Sequence, residues 1–162
     1  MINRRLRVVI LNYNKANMTK ECVRHVLAQN YDGQLDVVVV DNHSTETVFN
    51  KLKQLLPAKV KIVRAERNLG YAAGNNLGAR LELLPLSEYI MVLNNDVILI
   101  DEDTCEKLVR ALENDSFRVA CSPLVDTVGT GIPQMLRFRL GGFQTFLPFL
   151  SRQAGGFEDF HV

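Results

Sequence analysis

The chain has 162 residues, 47% apolar and 23% charged, with a formal net charge of +1. That composition belongs to an ordinary globular protein, long enough for one domain with a real core, and its charge gives no electrostatic case for nucleic acid as a partner. No apolar run approaches the ~18 residues of a membrane span.

The opening residues, MINRRLRVVIL, reach a polar break too early for a signal peptide. Residues 6–11 read instead as a buried strand that ends in Asn12, Tyr13, Asn14 and Lys15. Asn17 or Thr19 can cap the next helix, which runs to about residue 29 with Cys22, Val23, Val26 and Leu27 inward. Residues 35–40 are a second buried strand, closed by Asp41, Asn42, His43 and Ser44. A helix follows to about residue 56, facing the sheet with Val48, Leu52 and Leu55 or Leu56, and Pro57 ends it. Residues 60–63 are a short strand. Asn68, Leu69 and Gly70 then lead into a helix over about residues 71–84, with Ala73, Leu77, Leu81 and Leu84 along one side. Gly74 and Gly78 lie four apart in it and weaken it by roughly 1 kcal/mol each against alanine. They mark a face that approaches the sheet or a ligand closely.

The stretch YIMVLNNDVIL, residues 89–99, organises the rest. Its apolar run has no polar alternation, as expected of a strand buried on both faces of a parallel sheet. It stops on Asn94, Asn95 and Asp96, at the strand end where open α/β sheets bind ligands. Oxygen donors of this kind suit a hard divalent cation. Residues 101–114 read as a helix with an acidic first turn, and residues 119–122 as a fifth strand. Strand and helix alternate, so the sheet should be mostly parallel with helices on both faces. Right-handed crossovers then bring residues 12–15, 41–44, 64–68 and 94–96 to one crevice. Cys22, Cys105 and Cys121 lack metal-ligand spacing and read as reduced residues of a cytoplasmic protein. His25 has no partner in sequence and reads as solvated. Beyond Pro123, glycines break every pattern and six of the eight phenylalanines lie between Phe138 and Phe160. This tail reads as an irregular cover over the sheet rim, with peripheral membrane contact as the other reading.

Taken together, VVILNYNK, VVVVDNHSTE, NLGYAAGNNLGAR and YIMVLNNDV resemble the successive blocks of a family 2 glycosyltransferase, closest to its rhamnosyltransferase-like branch. The resemblance covers about residues 6–122. It implies the GT-A fold, a Rossmann-like three-layer α/β/α arrangement with a mostly parallel central sheet. It divides the chain into a nucleotide-sugar-binding core, residues 1–123, and a tail, residues 124–162, that begins an incomplete acceptor-side region. It implies a nucleotide diphosphate sugar donor, UDP- or dTDP-linked, and a glycan or lipid-linked acceptor in cell-surface polysaccharide synthesis. Localisation would be cytoplasmic, at the inner face of the plasma membrane, and an exposed Phe-rich tail would favour a homo-oligomer.

Residue by residue, the resemblance gives Asn12 and Asn14 the shaping of the nucleotide pocket, Tyr13 packing near the base, and Lys15 the approach to a phosphate. Asp41 would hydrogen-bond the uracil or thymine edge. Asn68, Asn76 and Arg80 would lie near base, ribose or diphosphate. Asp96 would bind Mn2+ or Mg2+ with the diphosphate oxygens, and Asn95 would stand beside it. A single carboxylate there, where the family usually has two, predicts weaker metal binding. The family's catalytic base comes from its C-terminal half, and Ala154 to Asp159 resembles the Gly-Gly-Phe turn ahead of it, so Glu158 or Asp159 is the base candidate. The chain reads as a fragment that lacks the acceptor half. The alternative is a nucleotide-binding module without a base. A Rossmann enzyme using NAD or a methyl donor fails because residues 12–15 are not the Gly-rich phosphate turn it needs.

Overall fold

The computed structural model describes residues 4–82 and 87–114, and beyond them the backbone of four short strands. In order, these are β1 (Arg5–Asn12), α1 (Ala16–Leu27), β2 (Gln34–Asp41), α2 (Glu46–Leu55), β3 (Lys61–Arg64), α3 (Gly70–Ala79), β4 (Tyr89–Asn94) and α4 (Thr104–Asn114). The short strands are β5 (Val119–Ala120), β6 (Leu124–Val125), β7 (Pro133–Gln134) and β8 (Phe149–Arg152).

The main sheet has the order β3-β2-β1-β4-β8-β5. Its first four strands are parallel, as the alternation of elements predicts. The tail adds what sequence patterning did not show. β8 pairs antiparallel with β4, and β5 pairs with β8 rather than with β4. Cys121 and most of the Phe-rich tail lie outside the described residues.

Each central strand is buried on both faces. Leu6, Val8 and Ile10 of β1 pack with Val23 and Val26 of α1, Leu52 of α2, and Leu108, Val109 and Leu112 of α4. Val9, with Val38, Val40, Ile90 and Val92, faces α3 instead. The two cores give the three-layer α/β/α arrangement, and the runs of β-branched residues follow from it.

α3 departs from its predicted face. It ends at Ala79, and its buried residues are Gly74, Asn75, Gly78 and Ala79, whereas Ala73 is exposed. Leu77 and Leu81 are only partly buried, and Leu84 lies outside the described residues. The cause is close approach. A Cβ on Gly74 would stand 2.6 Å from Leu11 Cδ1, and one on Gly78 2.6 Å from Val9 Cγ1 and 2.7 Å from Val40 Cγ2. The smallest residues, not the most apolar, mark the contact. Val9 and Val40 are fully buried and stiff at χ1. Gly78→Leu is therefore expected to destabilise by about 2 kcal/mol, overpacking outweighing the gain in helix propensity. Gly74→Ala should cost less, because the flexible end of Leu11 can yield. Urea unfolding checks both, as a lower midpoint at unchanged slope.

The far end of α3 is clamped from β1. Arg7 Nη1 donates to the carbonyls of Ala79 and Leu81, both at 2.7 Å. α4 starts at Thr104, later than the pattern suggested, because Asp101–Asp103 form a turn ahead of it. Lys107 pairs with Asp103 at 2.8 Å and completes that turn electrostatically.

Candidate functional site

The carboxyl ends of the parallel strands meet in one hydrogen-bond network. Asp41, the last residue of β2, is fully buried. Its Oδ1 accepts from Asn12 Nδ2 at 2.8 Å and from Ser44 Oγ at 2.5 Å. Its Oδ2 accepts from the Ser44 amide at 3.2 Å and faces Arg64 Nε at 3.6 Å. Arg64, at the end of β3, also donates to the Ser44 carbonyl at 2.9 Å and pairs with Glu46. Asn14 takes a left-handed conformation, φ 54°, which asparagine tolerates better than most residues. There its amide donates to Ser44 Oγ at 2.8 Å and its Oδ1 accepts from the Thr45 amide at 3.0 Å. Asn42, also buried, donates to Asn68 Oδ1 at 3.0 Å and accepts from the Leu69 amide at 2.8 Å, which fixes the start of α3.

β4 joins from the other side. Asn95 Nδ2 donates to Thr19 Oγ1 at 3.0 Å, and Thr19 donates to Asn12 Oδ1 at 2.8 Å. Thr19 therefore does not cap α1, as one sequence reading had it. Lys15 occupies the N-cap position and α1 begins without a side-chain cap. Its first turn leaves backbone N–H groups unpaired, with partial positive charge.

That first turn forms one wall of a cleft of about 600 Å³. Asn14, Lys15 and Met18 line it from the α1 side, Lys51 from α2, and Asn95 and Asp96 from the end of β4. Asp96 is exposed, and no hydrogen bond or ion pair ties it to another described residue. Its charge nonetheless acts on its neighbours. Burial first, then Asp96, pushes the Cys22 thiol up to about 12. Burial and Asp96 also raise the Tyr71 phenol, against a hydrogen bond with Asn75 that lowers it.

A hard cation fits this donor set in part. Asp96 offers a carboxylate that no other described residue engages, and Asn95, with its Nδ2 engaged by Thr19, retains its amide oxygen as an acceptor. Among the described residues no three His, Cys, Asp or Glu side chains cluster. A cation here would therefore need oxygens from a ligand to complete its shell of six or more.

The crevice expected from the sequence divides in two. Asn14, Lys15, Asn95 and Asp96 line the cleft, whereas Asp41, Asn42, Ser44 and Arg64 form the hydrogen-bonded network that holds Asn14. Asn12 is buried within that network, and Tyr13 and Lys15 are exposed. Asn68 is held by Asn42 at the start of α3. Asn76 is half-buried, with an Oδ1 that has no partner among the described residues. Arg80 lies apart from these residues. It is the C-cap of α3, beside the two carbonyls that Arg7 clamps, at the opposite end of β1 from Asn12. The one-dimensional block kept Arg80 near Asn68, but a full helix separates them. Glu158 and Asp159 lie outside the described residues. The pattern put Asn42 and Arg64 on the rim without their partners, and it read Thr19 as a cap, because a hydrogen-bond partnership made by a polar residue inside a helix carries no periodic signal. It also missed His25, whose Nδ1 meets the Leu99 carbonyl at 3.1 Å.

Among the described residues, no helix is long and apolar enough to cross a membrane. Residues 7–158 match the sequence model of the family described as Glycosyl transferase family 2. No curated protein matches the chain. Among solved structures it is similar to the mannosyltransferase PcManGT from Pyrobaculum calidifontis in complex with GDP-Man and Mn2+, at 22% identity and a TM-score of 0.64, with 74% of this chain and 35% of that chain covered. It is similar also to TarS 1-349 from S. aureus, in complex with UDP at 21% identity and a TM-score of 0.62, covering 80% of this chain and 38% of that one. The complex of TarS 1-349 with UDP-GlcNAc gives 21% identity and 0.63, covering 80% and 37%. At such identities the likeness shows the fold, and the chain spans little more than a third of each of these structures.

Proposed function

As a chain that belongs to glycosyl transferase family 2 and has a GT-A fold, this protein, we propose, binds a nucleotide diphosphate sugar at the rim of β1 and β4 and serves glycosyl transfer. The observation that carries this is Asp96, a carboxylate without partners among the described residues, just past the end of a buried parallel strand and opposite the uncapped start of α1. We place a UDP- or dTDP-linked sugar there, with Mn2+ or Mg2+ at Asp96. Bound, the ion would neutralise the leaving diphosphate as a Lewis acid. Lys15 and the N–H groups of the first turn of α1 supply further positive potential on the same wall. Tyr13 lies on the base side. Asn12, Asn14, Asn68 and Asp41 hold the rim, and Asp41 acts on the base through the turn it braces. The acceptor is a glycan or lipid-linked hydroxyl in cell-surface polysaccharide synthesis, at the cytoplasmic face of the membrane, and the donor is that of the rhamnosyltransferase-like branch. Glu158 or Asp159 is the proposed base, and the tail is the proposed site of peripheral membrane contact and self-association.

One observation favours the second reading, a nucleotide-binding module without a base. Among the described residues Glu21 is the other acid on the cleft, and its hydrogen bond with Arg24 at 2.9 Å lowers its pKa, against what proton abstraction needs. Thermal stability tests the donor site. With UDP, dTDP, GDP or NAD, each with and without Mn2+, a pyrimidine diphosphate with Mn2+ is expected to add ~2.7 kcal/mol at 100 times its dissociation constant. No stabilisation by any nucleoside diphosphate overturns the proposal. Stabilisation without sugar transfer by the chain with its tail selects the module.

A further inference from the structure

One stripe of α1 is polar and faces the segment that carries Asp96. Thr19 takes the Asn95 amide, and Cys22 Sγ donates to the Asn94 carbonyl at 3.4 Å. His25 meets the Leu99 carbonyl, and Gln29 donates to the Asp101 carbonyl at 2.8 Å while accepting from the Cys105 amide at 3.1 Å. Three-residue steps put Thr19, Cys22 and His25 on one face of the helix, and Gln29, two residues past its end, continues the same line. Most of them bond backbone, and Thr19 alone among them reaches on to the opposite strand end through Asn12.

The polarity of that link is determined from one end. The Asp41 carboxylate can only accept, so Asn12 must offer it the NH2 group, as it does at 2.8 Å. The remaining atom of the Asn12 amide is Oδ1, so the Thr19 hydroxyl must donate to it. Its proton spent, the hydroxyl faces Asn95 with a lone pair and selects the Asn95 NH2. The Asn95 oxygen is thereby left for the cleft that Asn95 and Asp96 line together. We propose that Thr19 is a positioning residue for the donor site, through which the buried charge of Asp41 sets the orientation of the Asn95 amide and presents its oxygen beside Asp96 as a ligand for the divalent cation. This inference rests on the donor-site reading and extends it to a second cation ligand and the residue that aims it.

Thr19→Val keeps the shape and removes the hydroxyl, and Thr19→Ser keeps the hydroxyl. In the ligand-free protein, hydrogen exchange of the Asn95 side-chain NH2, followed by NMR, is expected to quicken at least tenfold in Thr19→Val and to match the parent in Thr19→Ser. With UDP present, Mn2+ affinity is expected to fall about tenfold in Thr19→Val, about 1.4 kcal/mol, and to recover in Thr19→Ser. Asn95→Ala should reproduce the loss of Mn2+ affinity and serves where Thr19→Val fails to fold. Unchanged exchange and affinity in Thr19→Val, or full Mn2+ affinity in Asn95→Ala, overturns the proposal. If the parent protein binds no nucleotide with Mn2+, the donor-site reading and the cation ligand fall together, and the exchange rates alone decide whether Thr19 aims Asn95.

Discussion

Asp41→Ala is expected to lower the melting temperature by roughly 10 °C, before any ligand is added. The carboxylate is fully buried and accepts from the Asn12 amide, the Ser44 hydroxyl and the Ser44 backbone, with Arg64 at 3.6 Å. Removing it leaves those donors facing a void and an arginine short of one of its two acids. Loss of one member of a buried charged pair costs about 3–5 kcal/mol. Hydrogen bonds to a charged acceptor, worth ~1.5–3 kcal/mol each, are what makes the burial tolerable in the first place. Asp41→Asn should fall between, since its NH2 group must confront a donor wherever it points. Thermal unfolding of the ligand-free protein is the measurement. A melting temperature unchanged within ~2 °C, with nucleotide binding lost, would assign Asp41 to direct contact with the base, as the sequence resemblance implied. A large drop assigns it to the frame, and the base must then be read by residues that the frame holds.

What could be read from the sequence follows from how each feature is encoded. Parallel strands buried on both faces need unbroken apolar runs, so VVIL, VVVV and YIMVL announced β1, β2 and β4 without ambiguity. Crossover handedness then placed Asn12, Asp41 and Asp96 on the same rim, as found. Contacts made through absence of a side chain were partly legible. Gly74 and Gly78 signalled close approach, yet the leucine stripe beside them pointed to the wrong face of α3. Hydrogen-bond partnerships were hidden. Thr19 looked like a cap because threonine often is one, and nothing local reveals that Asn95, far along the chain, lies 3.0 Å away. Arg80 shows the opposite case. Nearness in sequence suggested a shared site, and the rise of a helix carried it to the other end of the sheet. The strand β8 was illegible for a further reason: its four residues carry a phenylalanine and a leucine amid glycine-broken sequence, with no period to count.

Asp96→Ala should do the reverse of Asp41→Ala. The side chain is exposed and bonded to no other described residue, so the ligand-free variant is expected within about 0.5 kcal/mol of the parent. Loss of its negative charge should also let the Cys22 thiol fall from about 12 toward its ordinary value, though burial, the larger cause, remains. The effect appears with ligand. If the cation is held by Asp96 and the diphosphate together, neither binds well without the carboxylate, and the ~2.7 kcal/mol gained by the parent at 100 times its dissociation constant should vanish. Asp96→Asn keeps an oxygen and loses the charge, so it separates the two contributions. Retained affinity for nucleotide with lost dependence on Mn2+ means the α1 wall holds the phosphates and Asp96 holds the ion. Full Mn2+ dependence in Asp96→Ala places the ion elsewhere, and with it the reading of β4 as the metal-bearing strand is overturned. The two aspartates, one the last residue of β2 and the other in the turn just past β4, are thus expected to differ in kind: one fails without ligand, the other only with it.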